Sequence, residues 1–259
     1  MNVVRMLLAI GLLVQVVAAC NSPTASQQQT VNPRAAAPAI AQPAAPDPEV
    51  GAVFLGAGSL HTCSGAVLDS PAGDLILTAA HCLVGGVDTT FVAGFNNEAA
   101  PENTWRVDVV YLDPSWVQNQ DPQADFAIAR VTRDAAGAVE SQAGRGLALG
   151  STPPAGTTVT ITGYGLGEGG GPIACRAATA ISAGGFPSLP CVGLVDGTSG
   201  APWIAGSTVT GLIGGLDGGG CENNISYSPP FDRRLTQLLT RAEARGPGDV
   251  APNVLDNTC

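Results

Sequence analysis

Short apolar segments separated by turn-forming residues run from Val50 to Leu216, and this pattern restricts the possible folds more than any other feature. Segments such as Thr104–Leu112 and Pro202–Ala205 are bounded by Gly, Pro, Asn or Asp. The chain contains 34 Gly and 20 Pro but only 5% aromatic residues. Such a composition is typical of short strands joined by tight turns, and it disfavours long helices. We therefore expect an all-β fold.

One segment near the end of the chain departs from the β pattern. Leu235 and Leu238 fall on one helical face of the segment Phe231–Ala244. Asp232 can cap the first turn, and Gly246, which is followed by proline, ends the run. These signals predict a C-terminal helix.

The first 19 residues have the pattern of a secretory signal. A charged start at Arg5 is followed by an apolar run from Met6 that is too short and too early for a membrane span of the mature protein. The run ends Val-Ala-Ala-Cys20, which resembles the lipobox of bacterial lipoproteins. This resemblance implies removal of residues 1–19 and lipidation of Cys20, which would anchor the protein to a membrane. The alternative is an ordinary signal peptide whose cleavage site adjoins a cysteine.

The segment that follows the signal is low in complexity. Residues 21–48 are rich in Ala, Pro, Gln, Ser and Thr and show no apolar period. Together with Cys20 they predict a disordered linker, residues 20–48, that holds the next domain off the membrane. We expect that domain to comprise residues 49–245, with a tail at 246–259.

The number of cysteines is odd, and Cys20 accounts for this. Lipidation of Cys20 leaves an even set suited to three disulfides in an oxidising compartment. That set consists of Cys63, Cys82, Cys175, Cys191, Cys221 and Cys259. None of the spacings is typical of a zinc site, so no metal is expected. The cysteines and the signal predict an exported protein, either a cell-envelope lipoprotein or a secreted protein.

The charge distribution argues against nucleic acid as a partner. The formal net charge is −10, and the basic residues are scattered along the chain. Nucleic-acid binding requires a basic patch, which this sequence does not supply. We interpret the acidity as serving solubility, and we expect a monomer.

Ser199 has the sequence context of a nucleophile. It lies between Gly197 and Gly200, and glycines permit the positive φ angles that aim backbone N–H groups at one point. The N–H groups of Gly197 and Ser199 would then form an oxyanion hole. Because a serine hydroxyl is a weak nucleophile alone, the site also needs a nearby base.

The chain has two histidines, His61 and His81, and both precede Ser199. His81 ends the run LTAAHC, whereas His61 lies inside a predicted strand, two residues before Cys63. We expect His61 to be a surface or packed residue and His81 to be the base. The order also excludes the α/β-hydrolase class, in which the histidine follows the serine.

Three motifs together carry a resemblance to a known family. LTAAHC at 77–82, DFAIAR at 125–130 and DGTSGAPW at 196–203 resemble the chymotrypsin-like serine peptidases, in that family's order of histidine, aspartate and serine. The resemblance covers Val50 to Leu239. It implies two six-stranded antiparallel β-barrels with a C-terminal helix packed on the second barrel. It also implies a serine endopeptidase that acts on proteins or peptides through an acyl-enzyme, without a cofactor.

The resemblance assigns roles to the three residues. His81 would take the proton of Ser199 and return it to the leaving amine, and Asp125 would orient His81 and stabilise its charged form. Three other carboxylates remain alternatives for the role of Asp125: Asp108, Asp113 and Asp121.

The sequence departs from the family at the substrate pocket and beside the nucleophile. Thr198 replaces the aspartate that pairs with the new amino terminus of activated digestive members, so that ion pair cannot form here. The motifs CSG at 63–65 and LTAAHC at 77–82 are similar to those of the bacterial glutamyl-endopeptidase-like branch. However, Ile213 replaces the histidine that lines the substrate pocket in that branch. Gly193 replaces the pocket aspartate of trypsin-like members. A pocket formed by Gly193, Ile213, Gly214 and Gly215 predicts a small or apolar P1 side chain.

The resemblance also bears on the disulfides. It implies a bridge between Cys63 and Cys82 behind the catalytic histidine. It further implies a bridge from Cys191 to Cys221, which leaves Cys175 for Cys259. The pairing of Cys175 with Cys191 and of Cys221 with Cys259 stays open.

Three other functional interpretations compete with the peptidase. The chain could be a non-catalytic surface lipoprotein that uses the same fold as a binding module, or it could act on activated esters only. The serine motif is also similar to that of subtilisin, but Gly200 and Pro202 disfavour the long helix that the subtilisin serine begins.

Overall fold

Short strands dominate the chain, as the apolar segments and turn residues predict. The structure is a computed structural model, and it describes residues 38–220 and 224–253. The strands of these residues are β1 (Ala39–Ile40), β2 (Gln42–Pro43), β3 (Val50–Leu55), β4 (Leu60–Val67), β5 (Leu75–Thr78), β6 (Thr89–Ala93), β7 (Thr104–Leu112), β8 (Ala127–Thr132), β9 (Ala148–Leu149), β10 (Thr158–Gly163), β11 (Gly167–Glu168), β12 (Ile173–Ala178), β13 (Ala180–Ile181), β14 (Pro187–Val192), β15 (Pro202–Ala205), β16 (Thr208–Leu212) and β17 (Ile225–Tyr227). The helices are α1 (Pro114–Asn119), α2 (Val139–Ala143) and α3 (Arg233–Glu243).

Six strands of the first half close into a barrel. Their order is β4-β3-β6-β7-β8-β5, all neighbours are antiparallel, and β5 pairs back to β4 through Ala66–Leu77 and Val67–Ile76. Closure removes the free sheet edges. The barrel is filled by fully buried side chains such as Phe91 and Ile128.

The strands of the second half divide between two sheets. One sheet has the order β2-β12-β10-β15-β16-β9, and the other joins β1, β14 and β13, with β17 beside β14. Ile161, Leu189 and Trp203 are fully buried in the core that these sheets share. The all-β, chymotrypsin-like fold with a C-terminal helix is confirmed. The prediction of a second six-stranded antiparallel barrel is wrong for the described residues, because the strands of the second half form two separate sheets in which β9 pairs parallel to β16 and β1 pairs parallel to β14.

Part of the predicted linker is ordered. Ala39 pairs with Cys191 in β14, and Gln42 pairs with Ala174 in β12. The prediction of disorder is therefore wrong for residues 39–43. The composition of this segment does not show that it pairs with β12 and β14, and this pairing satisfies its backbone hydrogen bonds. The signal at 1–19, Cys20 and the rest of the linker up to residue 37 lie outside the described residues.

The C-terminal helix begins where its capping residue predicts. The carboxylate of Asp232 accepts a hydrogen bond from the backbone N–H of Arg234 at 2.8 Å, which satisfies a free donor of the first turn. Among the helices of the described residues, none combines the length and hydropathy that crossing a bilayer requires.

The packing of α3 differs from the expectation. Leu235 and Leu238 are buried in the core of the first barrel, and Arg130 of β8 donates a hydrogen bond to the carbonyl of Ala242. Arg130 also forms an ion pair with Asp74. The expected packing of α3 on the second barrel is therefore wrong, since its apolar face covers strands β7 and β8 of the first barrel.

Two disulfides lie within the described residues. Cys63 in β4 is bonded to Cys82, as the resemblance implies. Cys175 in β12 is bonded to Cys191 in β14, with Cα atoms 6.6 Å apart. The predicted bridges from Cys191 to Cys221 and from Cys175 to Cys259 are therefore both wrong, because β12 and β14 hold Cys191 beside Cys175. Cys221 and Cys259 lie outside the described residues, and their pairing stays a prediction.

Candidate active site

The structure places His81 and Asp125 in direct contact. His81 lies in a 3₁₀ turn, Ala80–Cys82, directly after β5, and Asp125 lies directly before the neighbouring strand β8. The distance from His81 Nδ1 to Asp125 Oδ2 is 2.8 Å, and the backbone N–H of His81 donates to Asp125 Oδ1 at 3.0 Å. Because the carboxylate accepts from Nδ1–H, the lone pair of the neutral imidazole is on Nε2.

Asp125 is held as a carboxylate inside the protein. The residue is 1% exposed, and the backbone N–H of Gly215 donates to its Oδ2 at 2.7 Å. Burial by itself would raise the pKa of Asp125, but the His81 imidazole and the N–H donors of Gly215 and His81 outweigh it. The pKa therefore lies below its ordinary value of 3.8.

The three alternative carboxylates have other partners. Asp113 accepts from the N–H of Ser115 and caps α1, and Asp121 accepts from the N–H of Gln123. Asp108 accepts from the hydroxyl of Thr132. Of these candidates, Asp125 is the carboxylate that contacts the His81 ring.

Ser199 lies in a turn that packs directly on the segment leading to His81. The N–H of Ser64 donates to the carbonyl of Ser199 at 2.7 Å. Gly200 has φ +80°, and a Cβ there would lie 2.4 Å from Thr78 Oγ1 and 3.0 Å from the nitrogen of Ala79. Only glycine permits this approach, so Gly200 brings the nucleophile turn against the strand end that carries His81.

The hydroxyl of Ser199 contacts a backbone carbonyl of the segment Leu216–Gly219. Its Oγ lies 3.5 Å from the carbonyl oxygen of Gly218, which is the hydrogen bond that the structure gives this hydroxyl within the described residues. Gly218 belongs to the segment Leu216–Gly219, where Asp217 also has a positive φ of 50°. The run of glycines at 218–220 marks this segment in the sequence. The contact of the segment with the Ser199 hydroxyl was not predicted.

The peptide units of the nucleophile turn have fixed orientations. The carbonyl of Asp196 accepts from the N–H of Leu166 at 2.6 Å, and the carbonyl of Thr198 accepts from the N–H of Ala201 at 2.9 Å. In a planar trans peptide the N–H points away from its carbonyl. These two bonds therefore orient the N–H groups of Gly197 and Ser199, which find no backbone acceptor within residues 38–220 and 224–253. The arrangement suits two donors for a developing oxyanion.

A small cavity adjoins Ser199. Its volume is about 10 Å³, and its walls include residues 194–196, Ile213 and Gly218–Gly220. Of the predicted pocket residues, Ile213 lines this cavity. Gly193 instead faces Ala41, and Gly215 supports Asp125. Gly214 donates its N–H to the carbonyl of Tyr227.

His61 lies in a different environment from His81. The residue is 3% exposed, and its ring contacts Phe54, Phe95 and Tyr164, with centroid distances of 5.7, 5.2 and 6.1 Å. Its Nε2 lies 2.9 Å from the carbonyl oxygen of Gly169. The structure thus places His61 in a packed position, one of the two that the sequence predicts.

One grouping of His and Cys in the described part of the chain has metal-like spacing: Cys63, His81 and Cys82. Both sulfurs belong to a disulfide, so neither can act as a thiolate ligand. The grouping does not fit a metal site.

Comparisons with known proteins bear on the family and the fold of this chain. The model of the Trypsin family matches residues 41–237. Among solved structures, the chain is similar to the protease Anisep from Arthrobacter nicotinovorans, with a TM-score of 0.69 and 22% identity over 79% of this chain and 100% of that one. It is also similar to the thermostable serine protease AL20 from an extremophilic microorganism (TM-score 0.65, 20% identity, 76% of this chain and 98% of that one).

A Glu endopeptidase is a third similar structure, with a TM-score of 0.62 and 16% identity over 79% of this chain and 96% of that one. Among curated proteins, none matches this sequence. Because the family model covers most of the chain, the chain belongs to the trypsin family of serine proteases.

Proposed function

We propose that this chain is a serine endopeptidase in which Ser199 is the nucleophile, His81 the general base and Asp125 the residue that orients His81. The contact between His81 Nδ1 and the buried Asp125 carboxylate is the observation that carries the proposal. It leaves Nε2 as the basic nitrogen and stabilises the imidazolium that forms when a proton arrives.

The proposed reaction has two chemical stages. Ser199 Oγ attacks the carbonyl carbon of the scissile peptide while its proton passes to His81 Nε2, and the N–H groups of Gly197 and Ser199 stabilise the oxyanion. His81 then donates that proton to the leaving amine, which breaks the C–N bond and leaves an acyl-enzyme. In the second stage water attacks the ester carbonyl, with His81 again as base, and releases Ser199.

Productive attack requires the Ser199 hydroxyl to leave Gly218. Rotation about the single Cα–Cβ bond redirects Oγ without moving the backbone, which is held by Ser64 and Ile213. Since the contact with Gly218 is long, at 3.5 Å, its loss costs little.

A fluorophosphonate probe tests the proposal. It should label the full chain at Ser199, as located by peptide mass spectrometry, and denatured protein should stay unlabelled. Absence of labelling in folded protein would reject the peptidase in favour of a binding module of the same fold. Cleavage of a denatured protein mixture, beside that of an activated ester, separates a peptidase from an enzyme that is an esterase only.

The cavity beside Ser199 predicts the P1 preference. Its volume of about 10 Å³ suits a group of roughly the size of one water molecule, such as the methyl of alanine. Ile213 narrows this cavity, because its side chain lies close against Gly219, which also lines the cavity. A Cβ added at Gly219 would be only 2.7 Å from Cγ2 of Ile213. We propose that this chain prefers small P1 residues.

Replacing Ile213 by Ala should enlarge the cavity. We expect the ratio of kcat/KM for a P1-Leu peptide over a P1-Ala peptide to rise by about 10-fold or more, since a few methylene groups discriminate by that amount. Ile181→Ala, at a half-exposed position in β13, is the matched control and should leave the ratio unchanged. An unchanged ratio in Ile213→Ala would show that Ile213 does not set the P1 preference.

We further propose that residues 1–19 are removed, that Cys20 is lipidated and that the exported monomer stays attached to the cell envelope. The two disulfides support an oxidising compartment. Cys20→Ser should move the protein from the membrane fraction to the medium, as followed by immunoblotting. The matched control Ser22→Ala should stay with the membrane. Retention of Cys20→Ser would refute the lipid anchor.

A further inference from the structure

The nucleophile turn is held by its own side chains and by β4, and this has a consequence for activation. We propose that Thr198 and Ser64 are positioning residues that keep the N–H groups of Gly197 and Ser199 oriented as oxyanion donors. The protease is then active without proteolytic cleavage of the chain ahead of Val50. The inference rests on the proposed function, because it concerns the turn that contains Ser199.

Thr198 closes the turn from inside. Its hydroxyl donates to the carbonyl of Val195 at 2.6 Å, and its N–H donates to the same carbonyl at 3.1 Å. The residue is 3% exposed, so water does not compete for these bonds. Two donors on one acceptor fix the chain between Val195 and Ser199.

Ser64 closes the turn from outside. It is fully buried, and its hydroxyl donates to the carbonyl of Gly197 at 3.1 Å while accepting from the N–H of Tyr164 at 2.8 Å. Its N–H holds the carbonyl of Ser199 at 2.7 Å. The carbonyl of Ser64 in turn accepts from Thr78 Oγ1 at 2.7 Å. One residue therefore ties both ends of the oxyanion turn to the strand that leads to His81.

The orientation of the Gly197 peptide follows from these contacts. Gly197 has φ +88°, and a Cβ there would lie 2.1 Å from the nitrogen of Leu166. The carbonyls of residues 196, 197 and 198 all accept hydrogen bonds, from Leu166, Ser64 and Ala201 respectively. Because every carbonyl of the turn is held, no contribution from a free amino terminus is needed to orient the donors.

The segment ahead of Val50 is itself part of the fold. The carbonyl of Glu49 accepts from the N–H of Val67 at 2.8 Å, and the carboxylate of Glu49 pairs with Arg145. Further upstream, Ala41 donates to the carbonyl of Val192 at 2.8 Å. A cut at Val50 would free these contacts and place a new ammonium at a residue that is 0% exposed.

The first experiment compares intact and cut protein. A recognition sequence for a specific protease, inserted after Glu49 in the full chain, allows cleavage directly ahead of Val50 on demand, and mass spectrometry reports the state of the chain. We expect the uncut protein to hydrolyse a P1-Ala peptide, with kcat/KM no lower than after the cut. A rise of tenfold or more on cutting would overturn the inference alone. No turnover and no fluorophosphonate labelling in either state would overturn the proposed function as well.

The second experiment replaces the positioning residues in the uninterrupted chain. Thr198→Val keeps the shape but loses the hydroxyl, and we expect kcat to fall about 10- to 100-fold, somewhat less than for loss of an oxyanion donor, with KM within about twofold. Thr198→Ser should recover most of kcat. Thr179→Val is the matched control, because the hydroxyl of Thr179 donates to the carbonyl of Pro154 at 3.0 Å, outside the turn.

Ser64→Ala should show the same selective loss of kcat. If Thr198→Val fails to fold, as judged by its thermal unfolding, Ser64→Ala alone tests the positioning role. A kcat within twofold of wild type in a folded Thr198→Val and in Ser64→Ala would overturn the positioning role.

Discussion

Replacing Ser199 by Ala is expected to lower kcat about 10⁶-fold and to leave the affinity for peptide nearly unchanged. The reason is that the variant loses the hydroxyl that we propose as the nucleophile, whereas the cavity and the peptide groups of the turn stay. The measurement is kcat and KM for a P1-Ala peptide at enzyme concentrations high enough to detect the residual rate. Ser207→Ala, at an exposed position in the turn between β15 and β16, is the matched control and should keep full activity.

A double variant tests whether His81 and Ser199 act together. His81→Ala should cost about as much as Ser199→Ala, and the double variant should lose hardly more, because base and nucleophile act as one unit. Additive losses in the double variant, or more than about 1% of wild-type activity left in Ser199→Ala, would contradict the proposed mechanism.

Replacing Asp125 by Asn is expected to lower kcat about 10⁴-fold at neutral pH. The carboxylate accepts from His81 Nδ1, from the N–H of His81 and from the N–H of Gly215. An amide at this position has one acceptor oxygen and an NH₂ group, so it cannot accept all three bonds. Its NH₂ group favours the imidazole tautomer that carries the proton on Nε2, which cannot act as the base. Asp121→Asn, at a turn cap away from His81, should retain activity.

Asp125 also predicts a dependence of stability on pH. Its pKa in the folded protein lies below the ordinary value of 3.8, so the unfolded chain takes up the proton first as the pH falls. The stabilisation from Asp125 is therefore fully present above about pH 3.8 and is lost as the pH falls through the folded pKa. In urea unfolding, the gap in free energy between wild type and Asp125→Asn should narrow below that pH. A constant gap would mean that the carboxylate is not selectively stabilised in the folded state.

Local sequence patterns predicted most of the strands. Thr104–Leu112 and Pro202–Ala205 coincide with β7 and β15, and Asp232 caps the predicted helix. Such elements depend on apolar spacing and turn chemistry, which neighbouring residues carry. The strand β14 and the short helix α1 were not predicted. The segment of β14, Pro187–Val192, contains two prolines and depends on pairing with β1, β13 and β17 for its hydrogen bonds.

The disulfides and the pocket show where sequence patterns reach their limit. The pairing of Cys175 with Cys191 depends on β12 and β14 lying together, and sequence spacing contains no such information. Gly215 was predicted to line the pocket, but its N–H holds Asp125, on the other half of the molecule. The support that Ser64 gives to the nucleophile turn also crosses between the halves.

The sequence by itself determined the fold class, the family resemblance and the candidate nucleophile and base, because these rest on local strand patterns and contiguous motifs. Only the tertiary structure decided which carboxylate meets His81, which cysteines pair and what holds the turn of Ser199. Those features join residues from distant parts of the chain, and burial strengthens their hydrogen bonds only after the two halves have packed.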